Sequence, residues 1–174
     1  SQKQLSFKKM KDYKQFYPAG HEEDGYFLST NYAVGNMGDR KLQLSMEILM
    51  DILVGYEESP LKKAFNKEQK SKTLAYDVDS SIPQPMYSII ASDVKKEDLQ
   101  KVQSLIQETL SKVAKDGLDV GLIQMAINRY EVAEKQRISG ISKGIDMAYG
   151  SIYSWGHDAS PIDLLQEQLF IDQI

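Results

Sequence analysis

Histidine occurs only twice in this chain of 174 residues, at His21 and His157, and cysteine does not occur at all. A zinc site takes three or four nitrogen, sulfur or oxygen ligands. Neither histidine has a second one at helical or hairpin spacing. His21 sits in "HEEDG" (His21 to Gly25), where imidazole and carboxylates together suit zinc or manganese. Adjacent residues of a loop rarely converge on one ion, so a solvated acidic turn is the better reading. "DVDSS" (Asp77 to Ser81) opens like a calcium loop but lacks the glycine at its sixth position and the closing glutamate at its twelfth. It reads as a strand end. "GNMGDR" (Gly35 to Arg40) places two glycines before a helix, where a phosphate can bind. It is neither a P-loop nor a dinucleotide fingerprint, and Asp39 at the cap repels an anion. Ser139, Ser142 and Lys143 hold the residue types of a Ser–Lys nucleophile, but Gly140 and Gly144 beside them favour a helix kink. Arg129, Tyr130 and Glu131 read as a solvated helix face. Trp155 with Tyr149 and Tyr153 reads as a packing cluster against a neighbouring domain. No set completes an active site, so the chain is assigned no catalytic, no cofactor-binding and no metal residues.

The elements that carry these residues are more sharply written than the chemistry. Residues 1–24 are polar and lysine-rich, with Tyr13, Phe16 and Tyr17 among the lysines. An acidic cluster follows at once, which favours a connector or edge strand over a nucleic-acid site. "YFLSTNYAV" alternates as a strand. Asp39 is placed to cap a helix whose apolar face is Leu42, Met46, Leu49, Ile52 and Leu53, ending near Gly55. Ser59-Pro60 opens a second helix, with serine as the cap and proline where no N–H is needed. "TLAYDVDSSIPQPMYSIIASD" gives two strands about a proline-marked turn, the Met86 to Ala91 run being a central strand.

Ser92 or Asp93 is expected to cap a long helix with Leu99, Val102, Leu105, Ile106, Leu110 and Val113 inward. Gly117 ends it. Asp119 caps the next helix, which carries Ile123, Ala126, Ile127 and Tyr130 at helical steps. A glycine-interrupted helical stretch follows, and Ser160-Pro161 restarts a last helix. The order β, α, α, β, β, α, α and a helical tail predicts an α+β fold: a two-layer sandwich, mainly antiparallel, with helices packed on one face. The expected layout is a connector over 1–24, an α+β domain over 25–138 and a helical extension over 139–174 toward an interdomain linker.

Composition bounds the function classes. Apolar residues at 41% and charged residues at 26% are ordinary for a globular protein. A net charge of −4 gives no electrostatic reason for nucleic acid or an anionic membrane as partner. No apolar run is long enough to span a bilayer. The lack of cysteine fits a reducing compartment. Both ends read as cut from a longer protein.

"YFLSTNYAVGNMGDRKLQLSMEILMDILVGYEESPLKKAF" (Tyr26 to Phe65) resembles the pitrilysin/insulinase zinc metallopeptidase family, in its presequence-protease and falcilysin subgroup. A strand, an aspartate-containing turn, a leucine-rich helix and Ser59-Pro60-Leu61 with Lys62 and Lys63 follow in the subgroup's order. "EDLQKVQSLIQETLSKVAKDGLDVGLIQMAINRYEVAEKQ" is similar to its later helix pair, and "SWGHDASPIDLL" to its tryptophan–aspartate–proline stretch. The likeness runs from about Tyr26 to Leu165. It implies a large clamshell of four related α+β domains that degrades unfolded peptides. In that family a His-x-x-Glu-His motif in the first domain and a distal glutamate hold zinc, with the motif's own glutamate as general base.

This chain has no such motif, so the resemblance implies the second, noncatalytic domain: part of the chamber wall, inactive alone, with zinc held elsewhere in the parent. The family's catalytic arginine and tyrosine lie in the other half, so Arg129 and Tyr130 inherit no role. The implied partners are the other domains and the peptide substrates, and the implied compartment is a bacterial cytoplasm or an organellar matrix. An inactive scaffold of the same fold and a free-standing protein-binding module are the alternatives.

Overall fold

The structure, a computed structural model, describes residues 25–68, 73–138 and 143–173. Three strands form one antiparallel sheet in the order β1 (Tyr26–Ala33), β3 (Met86–Val94), β2 (Thr73–Asp79). As its continuous apolar run implies, β3 is central. It pairs Ile89 with Thr30 on one side and with Tyr76 on the other. Pro85 stays outside the β3 ladder, and its carbonyl accepts from Val34 N–H at 3.1 Å. Opposite the start of β1 the register shifts: Tyr26 pairs with Val94 but Leu28 with Ala91, so the extra residue of a bulge lies in β3.

The helical layer begins with α1 (Arg40–Met50), capped by Asp39, whose carboxylate accepts from Leu42 N–H at 3.0 Å. Its last turn widens into a π-helix over Asp51–Gly55. Ile52, Leu53 and Val54 are consecutive and all buried. The wider turn sends Leu53 and Val54 toward the sheet and Ile52 the opposite way. Helix α2 (Pro60–Glu68) follows. Ser59 begins it through its carbonyl, which accepts from Lys63 N–H at 2.9 Å, whereas its buried hydroxyl turns back to accept from Tyr56 N–H at 2.9 Å.

Helix α3 starts later than expected. Val94 is fully buried and keeps β3 extended past Ser92 and Asp93, so neither residue caps the helix. Asp93 takes a left-handed φ of 55° against Gly25, within the strand, and Val94 beyond it still pairs with Tyr26. A short 3-10 turn (Lys96–Asp98) then leads into α3 (Leu99–Asp116), and Gly117 ends it at φ 87°. Asp119 caps α4 (Val120–Ile138) through Leu122 N–H at 3.1 Å. Helix α5 (Lys143–Gly156), a 3-10 turn (Asp163–Gln166) and α6 (Glu167–Ile171) complete the described chain.

Two apolar clusters hold these elements, and the α1 segment belongs to both. Met50, Leu53 and Val54 pack with Leu61 and Phe65 of α2, Tyr87, Ile89 and Ala91 of β3, and Val102 and Ile106 of α3. Leu44, Ile48 and Ile52 pack with Leu122 and Ala126 of α4 and Ile171 of α6. The opposite sheet face shows Phe27, Ser29, Asn31, Thr73, Ala75 and Asp77 exposed. The expected α+β architecture, an antiparallel sheet with helices on one face, is observed.

Tyr87 is buried in the first cluster, and its hydroxyl has no hydrogen-bond partner among the described residues. Burial raises its pKa, with the charge of Glu47 adding to the effect. Removing an unpaired buried hydroxyl relieves its desolvation cost, whereas truncating a packed Ile leaves a cavity. Tyr87→Phe is therefore expected to leave stability unchanged or to raise it, and Ile106→Ala to lower it by about 2–5 kcal/mol. Urea unfolding midpoints of the two variants check the contrast.

Candidate functional site

A polar cluster forms around Asp51, the first residue of the π-turn. One carboxylate oxygen accepts from Tyr56 Oη at 2.6 Å. The other accepts from Tyr76 Oη and from Arg129 Nη1, each at 3.2 Å. The Arg129 guanidinium also lies over the Tyr56 ring, 5.7 Å from its centroid, in cation–π contact. One side chain thus ties the α1 end, the loop after it, the edge strand β2 and helix α4. A Cβ at Gly55 would run into the Asp51 carboxylate, so the glycine leaves the room that the cluster fills.

Beside the cluster lies a cleft of about 390 Å³ between β2 and α4, lined by Glu47, Asp51, Tyr76, Val78, Ala126 and Arg129 among others. Arg40 reaches its margin, donating to Tyr130 Oη at 3.4 Å and pairing with Glu47 at 3.5 Å. The carboxylate, guanidinium and phenols here are committed to one another. Burial, and then the Asp51 charge, pushes Tyr76 up to about 12, and burial with the Asp51 hydrogen bond raises Tyr56 as well. Two phenols held neutral against a carboxylate supply a fixed scaffold and no nucleophile at neutral pH.

The other candidates are dispersed. His21, Glu22, Glu23, Asp24, Ser139, Gly140 and Ser142 lie outside the described residues. Asp79 accepts from the Ser81 hydroxyl at 2.6 Å and from its N–H at 3.0 Å, which lowers its pKa and closes a turn at the end of β2. This bears out the strand-end reading of "DVDSS". Asp39 serves as a cap, and Asn36 Oδ1 accepts from Gly38 N–H within the preceding turn. His157 Nδ1 lies 2.8 Å from the Tyr153 carbonyl. Among the described residues, no group of three or more His, Cys, Asp or Glu side chains is placed to hold a metal ion. No helix among them is long and apolar enough to cross a membrane.

One sequence reading changes. Arg129 is not merely part of a solvated face, because Asp51 and Tyr56 hold it across 78 and 73 positions of chain. Tyr149 and Trp155 are each more than 70% exposed on α5, and Tyr153 is 43% exposed. The sequence signal for the Asp51 site was a lone charge inside the apolar run "ILMDILV".

Both the fold and the sequence have counterparts among known proteins. The fold is shared with a candidate zinc protease from Bordetella pertussis Tohama I, at a TM-score of 0.73 and 11% identity over 85% of this chain and 79% of that one. It is shared equally with the inactive peptidase domain of a candidate zinc protease from Bordetella parapertussis, at 0.72 and 11% over 84% and 77%. In sequence, the chain is 28% identical to presequence protease 1, chloroplastic/mitochondrial, of Arabidopsis thaliana over 86% of its own length. It is 25% identical to protein HypA of Clostridium perfringens over 98%. It spans 14% and 18% of those two relatives. No established family profile matches. The likeness to presequence proteases read from the residues is therefore borne out over most of the chain.

The alkaline behaviour of the cluster tests its bonding. An unfolded tyrosine ionises near pH 10, whereas Tyr76 stays neutral to about 12. Its raised pKa contributes stability that is complete below pH 10 and is lost as pH rises through 12. Asp51→Asn removes the negative charge, so the tyrosinate absorbance of Tyr76 should rise at lower pH and the alkaline loss of stability should shrink. Burial remains, so part of the shift persists. Asp51→Ala should lower stability at neutral pH by about 1–3 kcal/mol by leaving its partners unpaired.

Proposed function

We propose that this chain is a noncatalytic structural domain of a zinc-dependent peptidase that degrades unfolded peptides, and that it forms part of the wall of the substrate chamber. The observation that carries the proposal is the likeness to presequence proteases over 80–86% of the chain, in a sequence with no His-x-x-Glu-His motif. The Asp51 cluster agrees with it, since its polar groups are spent on joining elements. Residues 1–24 serve as a connector, 25–138 as the α+β domain and 139–174 as a helical extension toward an interdomain linker. No residue here is assigned to catalysis, a cofactor or a metal. Zinc belongs to the parent protein, whose other domains are this chain's partners. The compartments named for the plant relative, chloroplast and mitochondrion, favour an organellar matrix or its bacterial counterpart, the cytoplasm. The inactive domain from Bordetella parapertussis supports a second reading, an inactive scaffold of the same fold.

The full-length polypeptide and the chain of 174 residues separate these readings. Chelator-sensitive cleavage of an unstructured peptide is expected from the full polypeptide. The chain alone is expected neither to cleave nor to retain stoichiometric zinc after dialysis. Cleavage or zinc retention by the chain alone refutes the noncatalytic assignment. A full polypeptide without peptidase activity favours the scaffold.

A further inference from the structure

Among the described residues β2 pairs with β3 alone, so the backbone groups along its other edge are unpaired. Such an edge is a template for an added strand. Tyr76, Val78 and Ser80, at alternate positions of β2 and the turn beyond it, line the cleft of about 390 Å³ that separates this edge from α4. Ile48, Ala126 and Ala133 give the cleft apolar walls, and the two alanines leave it wide. Arg129 stands in the same cleft with its side chain 62% exposed. It is tied to the Asp51 cluster through Nη1, which donates to the carboxylate at 3.2 Å. The other edge of its planar fork, Nε and Nη2, makes no hydrogen bond to the described residues. Asp51 and the Tyr56 ring hold the guanidinium in place beforehand, so a ligand that meets this edge loses little affinity to ordering the side chain.

We infer that this cleft is a binding site for the C-terminus of an extended peptide whose last residue is aliphatic. The Nε–Nη2 edge of Arg129 receives the terminal carboxylate through two parallel hydrogen bonds. The last side chain enters between Ile48, Val78 and Ala126, and the preceding backbone runs along β2 as an added strand. The three features together select this ligand. An inorganic anion uses the guanidinium but leaves the apolar walls and the strand edge unused. A small organic acid uses the guanidinium and the walls but not the edge. A peptide C-terminus uses all three. The carboxylates nearby do not cancel the site, because Asp51 already accepts three hydrogen bonds and Glu47 is paired with Arg40. The inference goes beyond the structural role proposed above, since it gives the domain a ligand of its own and involves no cleavage.

Photo-crosslinking to the full-length polypeptide tests the site. The probe is an N-acetylated hexapeptide ending in photoleucine with a free carboxylate, and excess chelator keeps a metallopeptidase from cleaving it. Mass spectrometry of the adducts is expected to place them on β2, α4 and the end of α1, with several-fold less labelling by the same peptide as its C-terminal amide. Arg129→Lys keeps a cation beside Asp51 but lacks the fork, and should cut this labelling about tenfold. Ala133→Phe fills the cleft with Arg129 intact and should cut it similarly. Thermal melting shows whether each variant is folded, and the comparison of acid with amide needs no variant at all. Equal labelling of these elements by acid and amide overturns the inference, as does labelling confined to other segments. Competition by N-acetyl-leucine as effective as that of the unlabelled hexapeptide also overturns it and assigns the cleft to small organic acids. Cleavage of an unstructured peptide without chelator, measured on the same preparation, reports on the peptidase reading alone, so either proposal can fail while the other stands.

Discussion

Helix α1 has to bury two faces at once, and the rest of the molecule follows from that requirement. On one side Met50, Leu53 and Val54 close the core against the sheet, α2 and α3. On the other, Leu44, Ile48 and Ile52 receive α4 and α6. An ordinary amphipathic helix offers one apolar stripe, a little over a quarter of its circumference. The π-turn at Asp51–Gly55 widens the helix where both sides must be served. Placing a carboxylate there would be costly if it were alone in an apolar surround. Tyr56, Tyr76 and Arg129 make it instead the polar joint between the two halves of the core.

Much of the fold was legible because local chemistry and tertiary packing agree. The alternation in β1, the continuous apolar run of β3, the caps at Asp39 and Asp119 and the stop at Gly117 each state one physical requirement, and each was met. Reading failed where a local signal had two uses. Ser59 precedes a proline as a good cap does, yet its hydroxyl was recruited to fix Tyr56. Ser92 and Asp93 have cap chemistry, but burial of Val94 kept the strand going.

The polar site was harder to foresee. Tyr76 lies 25 positions from Asp51, and Arg129 lies 78 away. No periodicity links them, and only the packing of α4 beside β2 brings them together. What could be read was the anomaly of Asp51 itself, a charge amid Ile48, Leu49, Met50, Ile52 and Leu53. In the same way, the sequence shows that α5 carries large apolar residues but not that Tyr149 and Trp155 stand exposed on it.

The exposure of Trp155 has a photophysical consequence. It is the single tryptophan of the chain, and it stands on the solvent side of α5. Its indole is surrounded by water in the folded chain and by water again once the chain unfolds, so its emission is nearly blind to the core. The core's own chromophores are tyrosines, among them Tyr87 and Tyr76. Whatever wavelength the tryptophan of this chain reports is therefore a property of its neighbours, and a blue-shifted emission would describe company rather than folding.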